Sequence, residues 1–285
     1  MSSYASAKSF AKINLFLRVL SRRSDGYHNI YTLFSAIDLH DIIKIEEAPE
    51  TVLECNDKTI PVGGDNLIIK ADRLLRECVP PFPDYRITLE KNIPAGAGLG
   101  GGSSNACAYL KLVNRLNSLG LDNARLAEIL GTVGSDAPFF IKLGAQIGEG
   151  RGELLKEASL EELNLLVIYP NFPISTKEIY SSEKLVLTDS SNILNMHIQL
   201  GAAEISEIMF NSLESAVLPF YPKIGELKAA LLDVGAFSAI LSGSGSSVFG
   251  VFRDEKSAFS ALRKIKERFA SYRIWKVKTP VYDGG

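Results

Sequence analysis

The feature that most constrains this chain is Pro94-Ala95-Gly96-Ala97-Gly98-Leu99-Gly100-Gly101-Gly102-Ser103-Ser104-Asn105, where five of the 23 glycines fall within seven residues. Upstream, Tyr85, Ile87 and Leu89 alternate with Arg86, Thr88 and Glu90, which predicts a strand. Downstream, Ala106, Leu110 and Val113 recur at helical spacing, and Gly120 fits a helix stop. A glycine run between a strand and a helix start does more than link them. Glycine lets backbone N–H groups turn toward a ligand with no side chain in the way, and the helix end adds unpaired donors and a positive dipole, so a triphosphate is stabilised there. Ser103 and Ser104 are placed to donate to phosphate oxygens, and Ser104 is the candidate magnesium ligand.

Exclusion narrows the motif. A Walker loop needs G-x-x-x-x-G-K-[ST]; Gly96 and Gly101 keep the spacing, but Gly102 stands where the lysine belongs. Gly96, Gly98 and Gly101 match G-x-G-x-x-G, yet the acidic residue closing a second strand about 20 residues on is replaced by Leu119-Gly120-Leu121-Asp122 opening another helix. The V-A-I-K, H-R-D and D-F-G partners of a protein kinase and the G-x-S-x-G elbow of a hydrolase are missing from the sequence.

The rest of the chain reads as two layered α+β units. Ala11, Ile13, Leu15, Leu17 and Val19 alternate with Lys12, Asn14, Phe16 and Arg18, a period-two strand that puts Lys12 and Asn14 on one face. Strands are expected near 31–46, 51–55, 163–169, 237–241, 247–252 and 272–279. Asp65 is expected to cap a helix striped by Ile68, Ala71, Leu75 and Cys78, Asp122 to open another, and helices to span 202–216, 222–233 and 255–269. The glycine-rich stretch 144–152 suits a domain junction, which sets domains of 1–155 and 156–285. Lys and Arg total 31 against 33 Asp and Glu, so a basic field for nucleic acid is missing. With no apolar run of membrane length and no leader-like amino terminus, the expectation is a cytoplasmic protein. Cys55, Cys78 and Cys107 are too scattered for a disulfide framework and read as small core residues, and His28, His40 and His197 lack metal-ligand spacing.

The glycine run, with Ala11-Lys12-Ile13-Asn14-Leu15 before it and Leu241-Ser242-Gly243-Ser244-Gly245-Ser246-Ser247 after it, resembles the three motifs of the small-molecule kinases that include galactokinase, homoserine kinase, mevalonate kinase and phosphomevalonate kinase, in order and spacing. Asp25-Gly26-Tyr27-His28, Asp65-Asn66-Leu67 and Gly134-Ser135-Asp136-Ala137-Pro138 are similar to the branch of that family whose acceptor is a cytidine-diphosphate alcohol. The resemblance implies a two-domain α+β small-molecule kinase fold with the active site in a cleft between the domains, ATP and Mg2+ as cofactors, a small-molecule acceptor, and no nucleic acid, membrane or obligate protein partner. It implies that Asp136 is the base and that Lys12 orients it and offsets charge on the transferring group. It assigns the nucleotide to Pro94, Gly96, Gly98, Leu99, Gly100, Gly101, Gly102, Ser103, Ser104 and Asn105, with Asn66 and Lys91 at base or ribose. It assigns the cytosine to Tyr27 and His28, and the rest of the acceptor to Asn14, Asp136, Thr176 and Tyr180. Lys177 follows Thr176 where proline is expected. Gly243 and Ser244 belong to a second glycine-hydroxyl turn whose N–H groups face acceptor or phosphate. Two rivals stay open: a family member acting on another alcohol, against which Tyr27-His28 speaks, and a silent nucleotide sensor, against which the joint presence of Lys12 and Asp136 speaks.

Overall fold

The computed structural model describes residues 4–188 and 201–280; His197 lies outside them. The chain divides into two compact units, one of Met1–Ala11, Leu39–Ala95 and Gly100–Lys142, the other of Lys12–Asp38, Gly96–Leu99 and Leu143–Gly285. Strands β1 (Tyr4–Arg22) and β2 (His28–Ala48) contribute residues to both.

In the first unit the distal half of β2 pairs antiparallel with β4 (Asp84–Glu90), from Ile42 opposite Glu90 to Ala48 opposite Asp84, and β3 (Val52–Cys55) lies parallel on β4. Helices α1 (Leu67–Cys78), α2 (Gly101–Leu116) and α3 (Asn123–Val133) pack against one another, and a short α4 (Phe139–Lys142) follows. Ile43, Ile45, Ile87, Ile68, Leu75, Leu110 and Val113 are fully buried, as the strand and helix periodicities require. Asn66, not Asp65, caps α1: its Oδ1 accepts from the Ile68 N–H at 2.9 Å, because the helix begins at Leu67. Asp122 caps α3 as expected, accepting from Arg125 N–H. Only Cys107 is a core cysteine. Cys78 is exposed and Cys55 half-buried, while burial pushes the Cys107 thiol up to about 11.

In the second unit, Thr32–Ser35 of β2 pair antiparallel with β5 (Ala145–Glu149), which forms a hairpin with β6 (Leu154–Ala158). The glycine-rich stretch 144–152 is therefore largely sheet: a Cβ on Gly148 would come within 2.7 Å of the Phe34 ring, a close approach only glycine permits. A separate antiparallel sheet has the order β11 (Arg273–Lys278), β7 (Asn164–Tyr169), β10 (Val248–Phe252), β9 (Ser238–Leu241). Helices α8 (Pro222–Asp233) and α9 (Glu255–Arg268) cover it over a core that includes Leu166, Ile168, Leu227, Leu231, Val248 and Phe252.

The expected helix over 202–216 is instead α6 (Ala202–Ile208), a two-residue strand β8 (Phe210–Asn211) paired parallel to Phe16 and Leu17, and α7 (Glu214–Val217). The Asn211 amide donates to the carbonyls of Leu241 and Gly243, both at 2.8 Å, and these long-range bonds override the local helical period. A short α5 (Thr176–Tyr180) also forms, capped by Ser175. Among the described residues no helix is long and apolar enough to cross a membrane.

Candidate active site

The glycine run serves both units, each in its own way. In the second, Gly96 and Gly98 have φ of +61° and +74°, and a Cβ on Gly98 would lie 2.0 Å from the Ser242 carbonyl oxygen. Ser242 Oγ donates to Gly98 O at 2.9 Å and Ser247 N–H donates to Ala97 O at 3.1 Å, so the turn between β9 and β10 grips residues 97 and 98. Gly98 thus answers to backbone packing, and Gly96 to the Pro173 ring, whose Cβ would lie 2.7 Å from a Cβ there. In the first unit Gly100 is left-handed, with φ +67°, and occupies the N-cap position of α2. Gly101 and Gly102 form the helix's first residues, where Cβ atoms would meet Lys91 Nζ at 2.9 Å and Leu67 Cδ1 at 3.2 Å. A helix start stripped of side chains and bearing no capping side chain keeps its first N–H groups for an anion.

Lys12 and Asn14 do share a face, and both are buried rather than solvated. Lys12 Nζ donates to Asn14 Oδ1 at 2.8 Å and to Gly98 O at 3.1 Å, and stands 5.6 Å from the Phe34 ring centroid. Asn14 passes the chain on to Thr32 Oγ1 at 2.8 Å, and Thr32 donates to Phe16 O. Gly243, φ +55°, lies directly over this group; a Cβ there would sit 3.3 Å from Lys12 Nζ and 3.4 Å from Asn14 Oδ1. Ser244, beside it, shares a hydrogen bond with Thr176 Oγ1 at 2.7 Å. The structure therefore gathers Lys12, Asn14, Gly98 and Gly243 into one cluster.

Asp136 occupies the turn between α3 and α4, where Ala137 N–H donates to Gly134 O. Its Oδ1 accepts from Ser103 Oγ at 2.8 Å, which ties the carboxylate to the third residue of α2. The side chain is only half-buried, so a ligand can reach it.

The Arg23–Tyr27 turn is built by Asp25, whose carboxylate accepts from Tyr27 N–H and from the Arg23 guanidinium, and by Gly26 at φ +84°. It holds Tyr27 outward, 52% exposed, with the Arg151 guanidinium 5.0 Å from the ring centroid. His28 is buried and its ring lies 5.3 Å from that of Tyr180, tilted by 42°. Burial, then the nearby Arg22 charge, holds the imidazole below the ordinary histidine value, so it is neutral at pH 7. Its Nε2 is buried and meets no hydrogen-bonding partner among the described residues. Such an orphan costs free energy unless a ligand group satisfies it.

Asn66 and Lys91 have structural partners. Asn66 spends its side chain on the α1 cap and on Pro61 O. Lys91 turns its ammonium inward onto Asp41 at 2.6 Å and Ile93 O at 2.5 Å. Sequence reasoning did not single out Asp41, Thr32 or Arg151; each touches an assigned residue, but none stands within a recognisable motif. Among the described residues no group of three or more His, Cys, Asp or Glu is placed to hold a metal ion.

Residues 66–144 match the GHMP kinases N terminal domain and residues 196–271 the GHMP kinases C terminal domain. The chain is 38% identical over 263 residues to a 4-diphosphocytidyl-2-C-methyl-D-erythritol kinase of Caldanaerobacter subterraneus subsp. tengcongensis, covering 91% of this chain and 92% of that protein. It is 39% identical over 265 residues to a protein of the same description from Thermodesulfovibrio yellowstonii, covering 90% and 92%. A solved 4-(cytidine 5'-diphospho)-2C-methyl-D-erythritol kinase superposes with a TM-score of 0.80 at 30% identity, over 97% of this chain and all of that one. The Methanococcus jannaschii mevalonate kinase, at 17% identity and a TM-score of 0.71 over 98% and 99% of the two chains, shares the fold.

Proposed function

From the premise that this chain belongs to the GHMP kinases, and within them to the 4-diphosphocytidyl-2-C-methyl-D-erythritol kinase family, we propose that it moves the γ-phosphoryl group of ATP onto the 2-hydroxyl of 4-diphosphocytidyl-2-C-methyl-D-erythritol in the non-mevalonate isoprenoid pathway. The glycine run and the start of α2 carry the nucleotide, and Asn14, Tyr27, His28, Thr176 and Tyr180 carry the acceptor. Phosphoryl transfer asks a protein mainly for positioning and charge stabilisation. The N–H groups at the start of α2 hold phosphate oxygens. Asp136 takes the hydroxyl proton on Oδ2 while Ser103 steadies Oδ1. Lys12, fixed by Asn14 and Gly98, offsets charge on the transferring group. The Ser104 hydroxyl would offer a protein oxygen to a magnesium ion, which would supply charge neutralisation on the phosphates.

The observation that carries the acceptor's identity is His28. A buried, neutral imidazole with an unanswered Nε2, flanked by Tyr180 and one residue from the exposed Tyr27, suits the polar edge and the flat face of a pyrimidine. An assay of ADP release with the cytidyl alcohol, mevalonate and homoserine tests the reading: turnover of the first is expected, and turnover of either other alcohol without it would overturn the assignment. Tyr27→Ala is expected to raise the KM for the cytidyl substrate about tenfold, the scale of one lost stacking contact, and to leave the KM for ATP within about twofold. Equal changes in both would remove Tyr27 from the acceptor site. Because burial favours the neutral imidazole, acceptor binding is expected to hold steady through neutral pH. It weakens in acid, once the pH falls through the lowered value of His28; a binding titration by calorimetry over pH checks this, and a His28→Gln variant should lose the acid limb.

A further inference from the structure

Asp41 is wholly buried in β2, and its carboxylate accepts four hydrogen bonds from three directions. Oδ1 takes the backbone N–H groups of Asn92 at 2.7 Å and Ile93 at 2.8 Å, the residues leading out of β4 into the glycine run. Oδ2 takes the Lys91 ammonium at 2.6 Å and the Asn105 amide at 2.9 Å, the latter in the first turns of α2. Asn105 also donates to Ser9 Oγ, which donates to Ser104 Oγ. The segment before the glycines and the helix after them are therefore fastened to one buried charge. Lys91, drawn in by Asp41, lays its ammonium against the start of that helix, as the Cβ test at Gly101 shows.

Resting on the reading of this segment as the nucleotide site, we propose that Asp41 is its positioning residue: through Asn92, Ile93 and Lys91 on one side and Asn105 on the other, it sets the helix start that receives the ATP phosphates. Glycine-rich backbone is entropically costly to order, so its geometry must be imposed from its ends. Four donors around one carboxylate use its full accepting capacity. Asparagine cannot replace it, since an NH2 group would face donors where an oxygen accepts.

The test is steady-state kinetics of the full chain with ATP and the cytidyl alcohol. Asp41→Asn is expected to raise the KM for ATP about tenfold or more, with the KM for the alcohol within about twofold of native. Asp72→Asn serves as the control for mere loss of a buried carboxylate, because Asp72 pairs with Arg76 and Tyr109 away from the glycine run. It should lower the melting temperature and leave the KM for ATP unchanged. An unchanged KM for ATP in Asp41→Asn, or an equal rise in Asp72→Asn, overturns the proposal. If Asp41→Asn does not fold, Asn105→Ala cuts the bridge to α2 together with its bond to Ser9 Oγ and must by itself raise the KM for ATP about threefold; no rise overturns the proposal. A native chain that ATP does not saturate would instead overturn the nucleotide reading on which the proposal stands.

Discussion

Asp136→Asn is expected to lower kcat about a thousandfold, close to 4 kcal/mol of transition-state stabilisation, while ATP still binds within about threefold of native. The amide retains the hydrogen bond from Ser103, because its oxygen can stand where Oδ1 does, so the local geometry survives. What it loses is the ability to receive the acceptor's proton. Steady-state turnover together with a nucleotide-binding titration separates the two properties. Near-native turnover would take Asp136 out of the mechanism, and loss of ATP binding would make it a structural element of the helix start.

The second large effect belongs to Gly98→Ala. Gly98 combines a φ of +74° with a Cβ position 2.0 Å from the Ser242 carbonyl, and also 3.0 Å from Gly245 N. A left-handed alanine costs about 1–2 kcal/mol, and the contact with backbone adds about 1–3 kcal/mol because the partner is no rotatable side chain. The expected result is a clear fall in melting temperature and near-total loss of activity, since relieving the clash pulls Gly98 O away from Lys12 and Ser242. Gly102→Ala is the comparison: its Cβ meets only the Leu67 side chain at 3.2 Å and its φ is not left-handed, so it should cost far less stability. Equal melting temperatures for the two variants would sink this account of why residue 98 is glycine.

The contrast between these glycines bears on how much the sequence disclosed. A single cluster suggested phosphate binding throughout, whereas Gly96 and Gly98 are needed for contact with Pro173 and Ser242, partners far along the chain. Local signals were read well: the alternation over 11–19 became part of β1, Asp122 capped α3, and 222–233 formed α8. Failures came where distant contacts rule. Asn211, bonded to Leu241 and Gly243, broke the helix expected over 202–216. Within the site, Lys12 and Asn14 were legible from strand parity, and the structure pairs them. Asp41 was not legible, because its partners Lys91 and Asn105 lie 50 and 64 residues away and no motif frames it.

The grip of the Ser242–Ser247 turn on Ala97 and Gly98 has a practical consequence. The glycine run is not a portable module: its shape is cast by a mould that the ribosome delivers more than a hundred residues later. Grafted with its own strand and helix onto another scaffold, the segment would arrive without that mould and relax. A designer who wanted to borrow this loop would have to transplant the late turn along with it, and a nascent chain has no finished loop until β9 and β10 have emerged.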